Sequence, residues 1–87
     1  MGITWKPVSD PQLPRSQLPA SAFAFPAERK EPLTDANHVR SAIARFGRVD
    51  GVDDDECAQA YANIAAAARH YGIALHAHDW HDLGRKL

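Results

Sequence analysis

The placement of proline limits the folds open to this chain more than any other feature. Pro7, Pro11, Pro14, Pro19, Pro26 and Pro32, all six prolines, lie within the first 32 of 87 residues. Each fixes its own φ, lacks a backbone donor and biases the residue before it away from the helical region. Long helices are therefore confined to the remainder, and the first third reads as an extended arm. Its apolar residues Trp5, Val8, Leu13, Leu18, Phe23 and Phe25 are too many for a free tail. The part from Leu18 onward is expected to lie against the helices, and residues 1–17 to be flexible or ordered by a partner. Between Ser21 and Phe25 there is room for one helical turn before Pro26 ends it.

After the last proline the pattern becomes helical. The first helix is expected from Asp35 to Phe46, with Thr34 or Asp35 as N-cap and Gly47 as the stop. Ala36, Val39, Ile43 and Phe46 share one face, while His38, Arg40, Ser41 and Arg45 fall mainly on others. The second helix is expected from Asp54 to Tyr71. Asp53 and Glu56 form a capping-box pair, Asp54, Asp55 and Glu56 suit the positive end of the helix dipole, Arg69 and His70 suit its negative end, and Gly72 stops it. Cys57, Tyr61, Ile64, Ala68 and Tyr71 recur at alternating steps of four and three, a seam for packing on another element. Ala58, Ala62, Ala65 and Ala66 would let a neighbour approach closely.

The connection from Gly47 to Val52, with Asp50-Gly51 as its turn, is short enough for an antiparallel hairpin of helices. In the tail, Ile73 and Leu75 alternate like a short extended segment, and Asp79 to Leu83 suit one helical turn closed by Gly84. The expected fold is all-α: an antiparallel helical hairpin covered by a Pro-rich N-terminal arm and a short C-terminal segment. Residues 18–83 form the domain and 84–87 a tail.

Composition allows one such domain. A chain of this length buries roughly 60 to 65% of its unfolded surface, so its core is modest. A hydrophobic content of 45%, a charged content of 24% and a net charge of -1 are ordinary for a globular protein. The charges are unevenly placed. Residues 1–49 carry seven Lys or Arg against four Asp or Glu, whereas residues 50–87 carry seven acids against three bases. Folding is expected to bring the two halves together; the alternative, oppositely charged faces, favours head-to-tail self-association or a charged partner. A lone cysteine, the absence of a signal-like apolar segment and the absence of any run near the ~18 apolar residues of a membrane helix point to a cytoplasmic protein without a membrane anchor.

Leu18-Pro-Ala-Ser-Ala-Phe-Ala-Phe-Pro, then Arg29-Lys30, Pro32-Leu33, Asp35 and His38-Val-Arg-Ser-Ala-Ile-Ala-Arg-Phe46, and finally Ala67-Ala-Arg-His-Tyr-Gly-Ile73, occur in that order. On these residues the chain resembles a group of small uncharacterised domains of actinobacterial proteins and of phage or prophage proteins. The resemblance covers roughly residues 18–75. It implies a shared fold and a phage or mobile-element connection, and it brings no catalytic residue. The chain departs from the group at Ser41, where members usually carry Asn, and its His-rich ending lies outside the shared part.

Four constellations carry chemical potential, each with a plainer reading. His76, His78 and His81, with Asp79 or Asp82, hold enough ligand types for a zinc site. Their spacing fits neither a single strand nor a single helix, and a polar surface tail is the plainer reading. Arg29, Lys30, His38, Arg40, Arg45 and Arg48 can form a basic face. A helix-turn-helix reading suffers from a connection longer than the usual three or four residues and from a second helix that opens with acids, which repel phosphate. Asp50, Asp53, Asp54, Asp55 and Glu56 lack the ligand alternation of a calcium loop and read as helix capping. Cys57 lies near a helix N-terminus, but in the apolar seam and among acids that favour the neutral thiol, so it reads as a core residue.

The aromatics remain. Trp5 is the expected anchor for a partner, whereas Phe25, Tyr61 and Trp80 are expected to complete the core. The expected function is thus a non-enzymatic protein-interaction module without a cofactor, binding a protein partner or itself through Trp5, Arg29, Lys30, His38, Arg40, Arg45 and Arg48. A small DNA-binding regulator using the basic first helix is second. A metal-binding or redox enzyme using the His-rich tail is third.

Overall fold

The computed structural model describes residues 3–8, 10, 12–46 and 51–75. Prolines open its first elements. Pro14 and Pro19, with φ near their preferred value, precede two short 3-10 turns, Arg15–Gln17 and Ala20–Ala22. A first-turn residue has no intrahelical use for its N–H, so proline costs nothing there. The chain then extends into β1 (Phe23–Phe25), turns, and returns as β2 (Lys30–Pro32) before α1 (Ala36–Arg45) and α2 (Asp54–His70).

The strands pair antiparallel, with Phe23 opposite Pro32 and Phe25 opposite Lys30. The all-α expectation is therefore corrected: the molecule is a small α+β fold. Phe23, Ala24 and Phe25 are all buried, and a buried extended backbone must find hydrogen-bond partners. Lys30–Pro32 supplies them, and Leu33 N–H extends the pairing to Ala22 O at 2.8 Å. Pro32 is tolerated because each strand of a two-stranded sheet keeps an open edge. The helical turn anticipated up to Phe25 stops at Ala22, where the backbone turns extended. Arg29, at φ 53, takes the left-handed conformation that closes the hairpin turn.

α1 begins, and α2 begins and ends, where the sequence placed their caps. Asp35 accepts from His38 N–H at 2.8 Å to open α1. Asp53 and Glu56 form a full capping box at the start of α2. At its end Gly72 adopts φ 71, and Ile73 N–H reaches Ala68 O while Gly72 N–H reaches Arg69 O. This is the Schellman pattern that a glycine makes affordable. Gly47 and Arg48, the expected turn at Asp50, and the expected turn from Asp79 to Leu83 with its tail 84–87 lie outside the described residues, Gly51 alone excepted.

α2 packs chiefly on β1 and less extensively on α1. Ala60, Ile64, Ala67 and Ala68 of α2 meet Ala24, Phe25, Leu33, Val39, Ala42 and Phe46 in the main core, and Phe25 stacks on Phe46 at 5.8 Å between ring centroids. The alanines that allow this approach are thus Ala60, Ala67 and Ala68; Ala58 is exposed, and Ala62, Ala65 and Ala66 are half-buried. Phe23 instead joins Leu18 and Ala22 in a second, smaller cluster, with Val8 and Leu13 against it.

Trp5 is the main surprise. It is 7% exposed and belongs to the main core, so its ring is not a surface anchor. Its indole Nε1–H donates to Leu33 O at 3.0 Å, and its backbone N–H donates to Asn63 Oδ1 at 2.9 Å. Thr4 N–H shares the same acceptor, and Asn63 Nδ2 donates to Ala24 O in β1 and to Thr4 Oγ1, each at 3.0 Å. One fully buried amide on α2 thereby ties the arm to the sheet. Lys6 N–H continues the docking by donating to Ser21 O. Thr4 to Lys6, in the arm expected to be flexible or ordered by a partner, are thus hydrogen-bonded to α2 and to Ser21.

Candidate functional site

The hairpin turn and the first two turns of α2 face each other across a groove of about 190 Å³. Its surface is mainly apolar, with Pro26 and Ala27 of the turn along it and the buried Phe25 beneath them. Carboxylates stand around it: Glu28 from the turn, and Asp53, Asp55 and Glu56 from α2, with Gln59 one turn further along. The position of the acids follows from the sequence, because a helix N-terminus recruits acidic residues for capping and for its dipole.

Two of these acids are bound into that cap. Asp53 Oδ1 accepts from Glu56 N–H at 2.8 Å, and Glu56 Oε1 accepts from Asp53 N–H at 3.1 Å. Glu28 is different. Its Oε1 is buried with no hydrogen-bond partner among the described residues. Glu56 is held above the ordinary carboxylate range, chiefly by the Glu28 side chain; the backbone N–H of Asp53 opposes this, and slight desolvation and the charges of Glu28 and Asp53 add to the rise.

The basic residues singled out in the sequence have individual partners where they are described. Arg29 is built into the fold: its Nη2 donates to Leu18 O at 2.7 Å and to Arg15 O at 3.0 Å, with its guanidinium 4.8 Å above the Phe23 ring. Arg15 answers by donating to Arg29 O and covering the same ring. Arg29 thus has a structural part in the fold, joining the hairpin turn to the carbonyls of Arg15 and Leu18. Lys30 is half-buried, with its Nζ beside Gly51. His38 Nδ1 lies 2.8 Å from Asp35 Oδ1 at the α1 cap. Arg40, exposed, donates to Asn37 Oδ1. Arg45, also exposed, lies near Glu31, and its charge together with that of Arg15 partly offsets the burial that pushes the Glu31 carboxyl up. Arg40 and Arg45 are five residues apart on α1, which turns them well away from each other. Arg48 and the histidine cluster His76, His78 and His81 lie outside the described residues.

Chemistry at the remaining polar cluster is limited by geometry. Thr34 Oγ1 and Asp35 Oδ1 both approach the same nitrogen of His38, Nδ1, at 3.3 and 2.8 Å. A relay from carboxylate to nucleophile uses the two opposite ring nitrogens, so this group caps a helix and does not activate Thr34. Tyr71 OH donates to Thr34 O at 2.9 Å beside the Trp5 bond to Leu33 O. The two aromatic donors thus satisfy consecutive carbonyls of the link between β2 and α1. Burial, and secondarily the charge of Asp35, raises the Tyr71 phenol above its usual range. Cys57 packs against the core, where burial, then the charges of Asp54, Asp53 and Glu56, push its thiol up and away from nucleophilic character. Among the described residues, no group of three or more His, Cys, Asp or Glu is arranged to hold a metal ion, and no helix is long and apolar enough to cross a membrane.

Sequence reasoning found Asp53 and Glu56 as caps but not Glu28 or the floor beneath them. A family model described as "Family of unknown function (DUF6582)" matches residues 8–78. Comparison with curated proteins and with solved structures gave no match.

Proposed function

The chain belongs to the DUF6582 family of unknown function, and from the groove beside its hairpin turn we propose that it is a non-enzymatic protein-interaction module. The observation that carries this reading is an apolar wall, Pro26 and Ala27 over the buried Phe25, open beside a group of acidic residues. Apolar surface supplies burial, and a rim of one charge sign orients the encounter. The helix caps and the hydrogen bonds of Asn63 hold both walls, so the surface is formed before a partner arrives. The site differs from the one expected from Trp5 and the basic residues; Trp5 is buried in the core and Arg29 is bonded to the carbonyls of Arg15 and Leu18.

The resemblance to phage and prophage domains supports a place in a mobile-element system, and the lone Cys57 suits a reducing cytoplasm. To test the docking reading, a displayed library of random dodecapeptides is selected on the folded protein and on Ala27→Trp, which fills the groove. Sequences that enrich on the parent and lose binding to Ala27→Trp support the reading. Enrichment indifferent to that substitution contradicts it.

A further inference from the structure

We infer that the slot holding Trp5 also receives the arm of a second copy of the chain, so that two molecules exchange residues 3–8 and each completes the core of the other. This stands apart from the groove, and the failure of either reading leaves the other intact. The slot is a formed site whose occupant is seen. The Trp5 ring lies against His70 and Tyr71, with centroids 5.6 and 6.0 Å away, and its Nε1–H reaches Leu33 O. The remaining hydrogen bonds of Thr4 to Lys6 run to Asn63, Gln59 and Ser21. All of these receiving residues follow the bend that returns the arm, so a second copy offers the same set.

The arm is separable because one side chain anchors it. Ile3 is 58% exposed, Thr4, Lys6 and Pro7 are exposed too, and Val8 is half-buried against the second cluster. The bend that brings it home is an exposed turn. Leu13 N–H donates to Asp10 O at 3.3 Å and Gln12 N–H to Asp10 Oδ1 at 3.0 Å, and both bonds are local. Opening the turn gives up these two bonds and no core contact, since Leu13 stays with its own chain. The link also resists bending. It contains Pro7, Pro11 and Pro14, and Pro14 sits at φ -58, ψ 149, the extended polyproline conformation of a semi-rigid spacer. Exchange of an identical element keeps every contact of the closed monomer and is thus a low-cost route to a dimer. Its onset is set by the effective concentration of the arm at its own slot, on the order of millimolar for a short link.

The test uses the full chain, half of it labelled with ¹³C and ¹⁵N and half unlabelled, unfolded together in urea and refolded at about 1 mM, the scale of that effective concentration. Light scattering is expected to show a dimer, and isotope-filtered NOE spectra to show contacts between the Trp5 ring of one chain and Tyr71 of the other. Asp10→Ala removes a bond made only in the closed turn and leaves the core untouched. It should tighten the dimer by about fivefold or more, since both chains give up that bond. A protein that stays monomeric at this concentration overturns the inference. A dimer without the Trp5 to Tyr71 contacts between chains, joined through the groove or elsewhere, also overturns it, as does a dimerisation constant that Asp10→Ala leaves unchanged or weakens.

Discussion

Asn63 Oδ1 accepts the backbone N–H of Trp5 at 2.9 Å, across a sequence separation of 58 residues. The same amide donates to Ala24 O of β1, so one polar side chain inside an otherwise apolar helix face joins the two ends of the described chain to its sheet. Without it, the arm and β1 would each keep a buried backbone group unpaired.

Replacing Asn63 by Leu is therefore expected to cost about 2–4 kcal/mol, the sum of two or so orphaned buried groups less the gain from apolar packing. Urea unfolding measures it. Asn63→Asp should be no milder, because it loses the donor to Ala24 O and places a charge where none is paired. A loss below about 0.5 kcal/mol for both would mean that the arm is not held this way.

Trp5→Ala should cost about 3–5 kcal/mol, the range for removing a large aromatic side chain from a core. Removing residues 1–6 should be at least as damaging. A truncated protein with unchanged unfolding midpoint would return the arm to the role of an external tail.

Arg29→Ala should destabilise the fold by about 1.5–3 kcal/mol, because its guanidinium bonds two carbonyls and covers Phe23. Arg40→Ala, on an exposed surface, should stay within about 0.5 kcal/mol. Equal effects of the two would remove the distinction between a structural and a surface arginine. Thermal unfolding of the two variants side by side settles the point.

Stability should respond to acid in two opposed ways. Asp35, held below its usual 3.8 chiefly by the backbone N–H of His38, contributes stability that is present above pH 3.8 and lost as pH falls through its lower folded value. Glu56, held above its usual 4.5 chiefly by Glu28, contributes stability that is present below pH 4.5 and lost as pH rises through its higher folded value. Glu31, raised by burial, acts in the same sense as Glu56. Asp35→Asn should flatten the acid limb, and Glu56→Gln the decline above pH 4.5. Unfolding midpoints collected from pH 2.5 to 7 read both slopes, and unaltered slopes in the variants would contradict these assignments.

The legible part of the fold was its local chemistry. Asp35, the Asp53 and Glu56 pair, and Gly72 act within one turn of themselves, so both helices were readable almost to the residue. The hairpin was not, because strands of three residues are too short to display alternation, and one of them reads Lys-Glu-Pro. Trp5 looked free because the prolines after it concealed the return of the chain to α2. A signal for that return was present in Asn63, a polar residue in the same stripe as Ala60, Ile64 and Ala67, where only a specific partner makes an amide tolerable. The groove needed Glu28 and Glu56, 28 positions apart, to meet, and no local pattern announces such a pair.

The central claim is most directly tested by titrating the side-chain carboxyl carbon of Glu56 by NMR, in the parent protein and in Glu28→Gln. The structure predicts a midpoint above 4.5 that falls toward the ordinary value when Glu28 loses its charge. A midpoint at or below 4.5 in the parent, unmoved by Glu28→Gln, would place the two carboxyls apart and contradict the acidic rim from which the docking role is proposed.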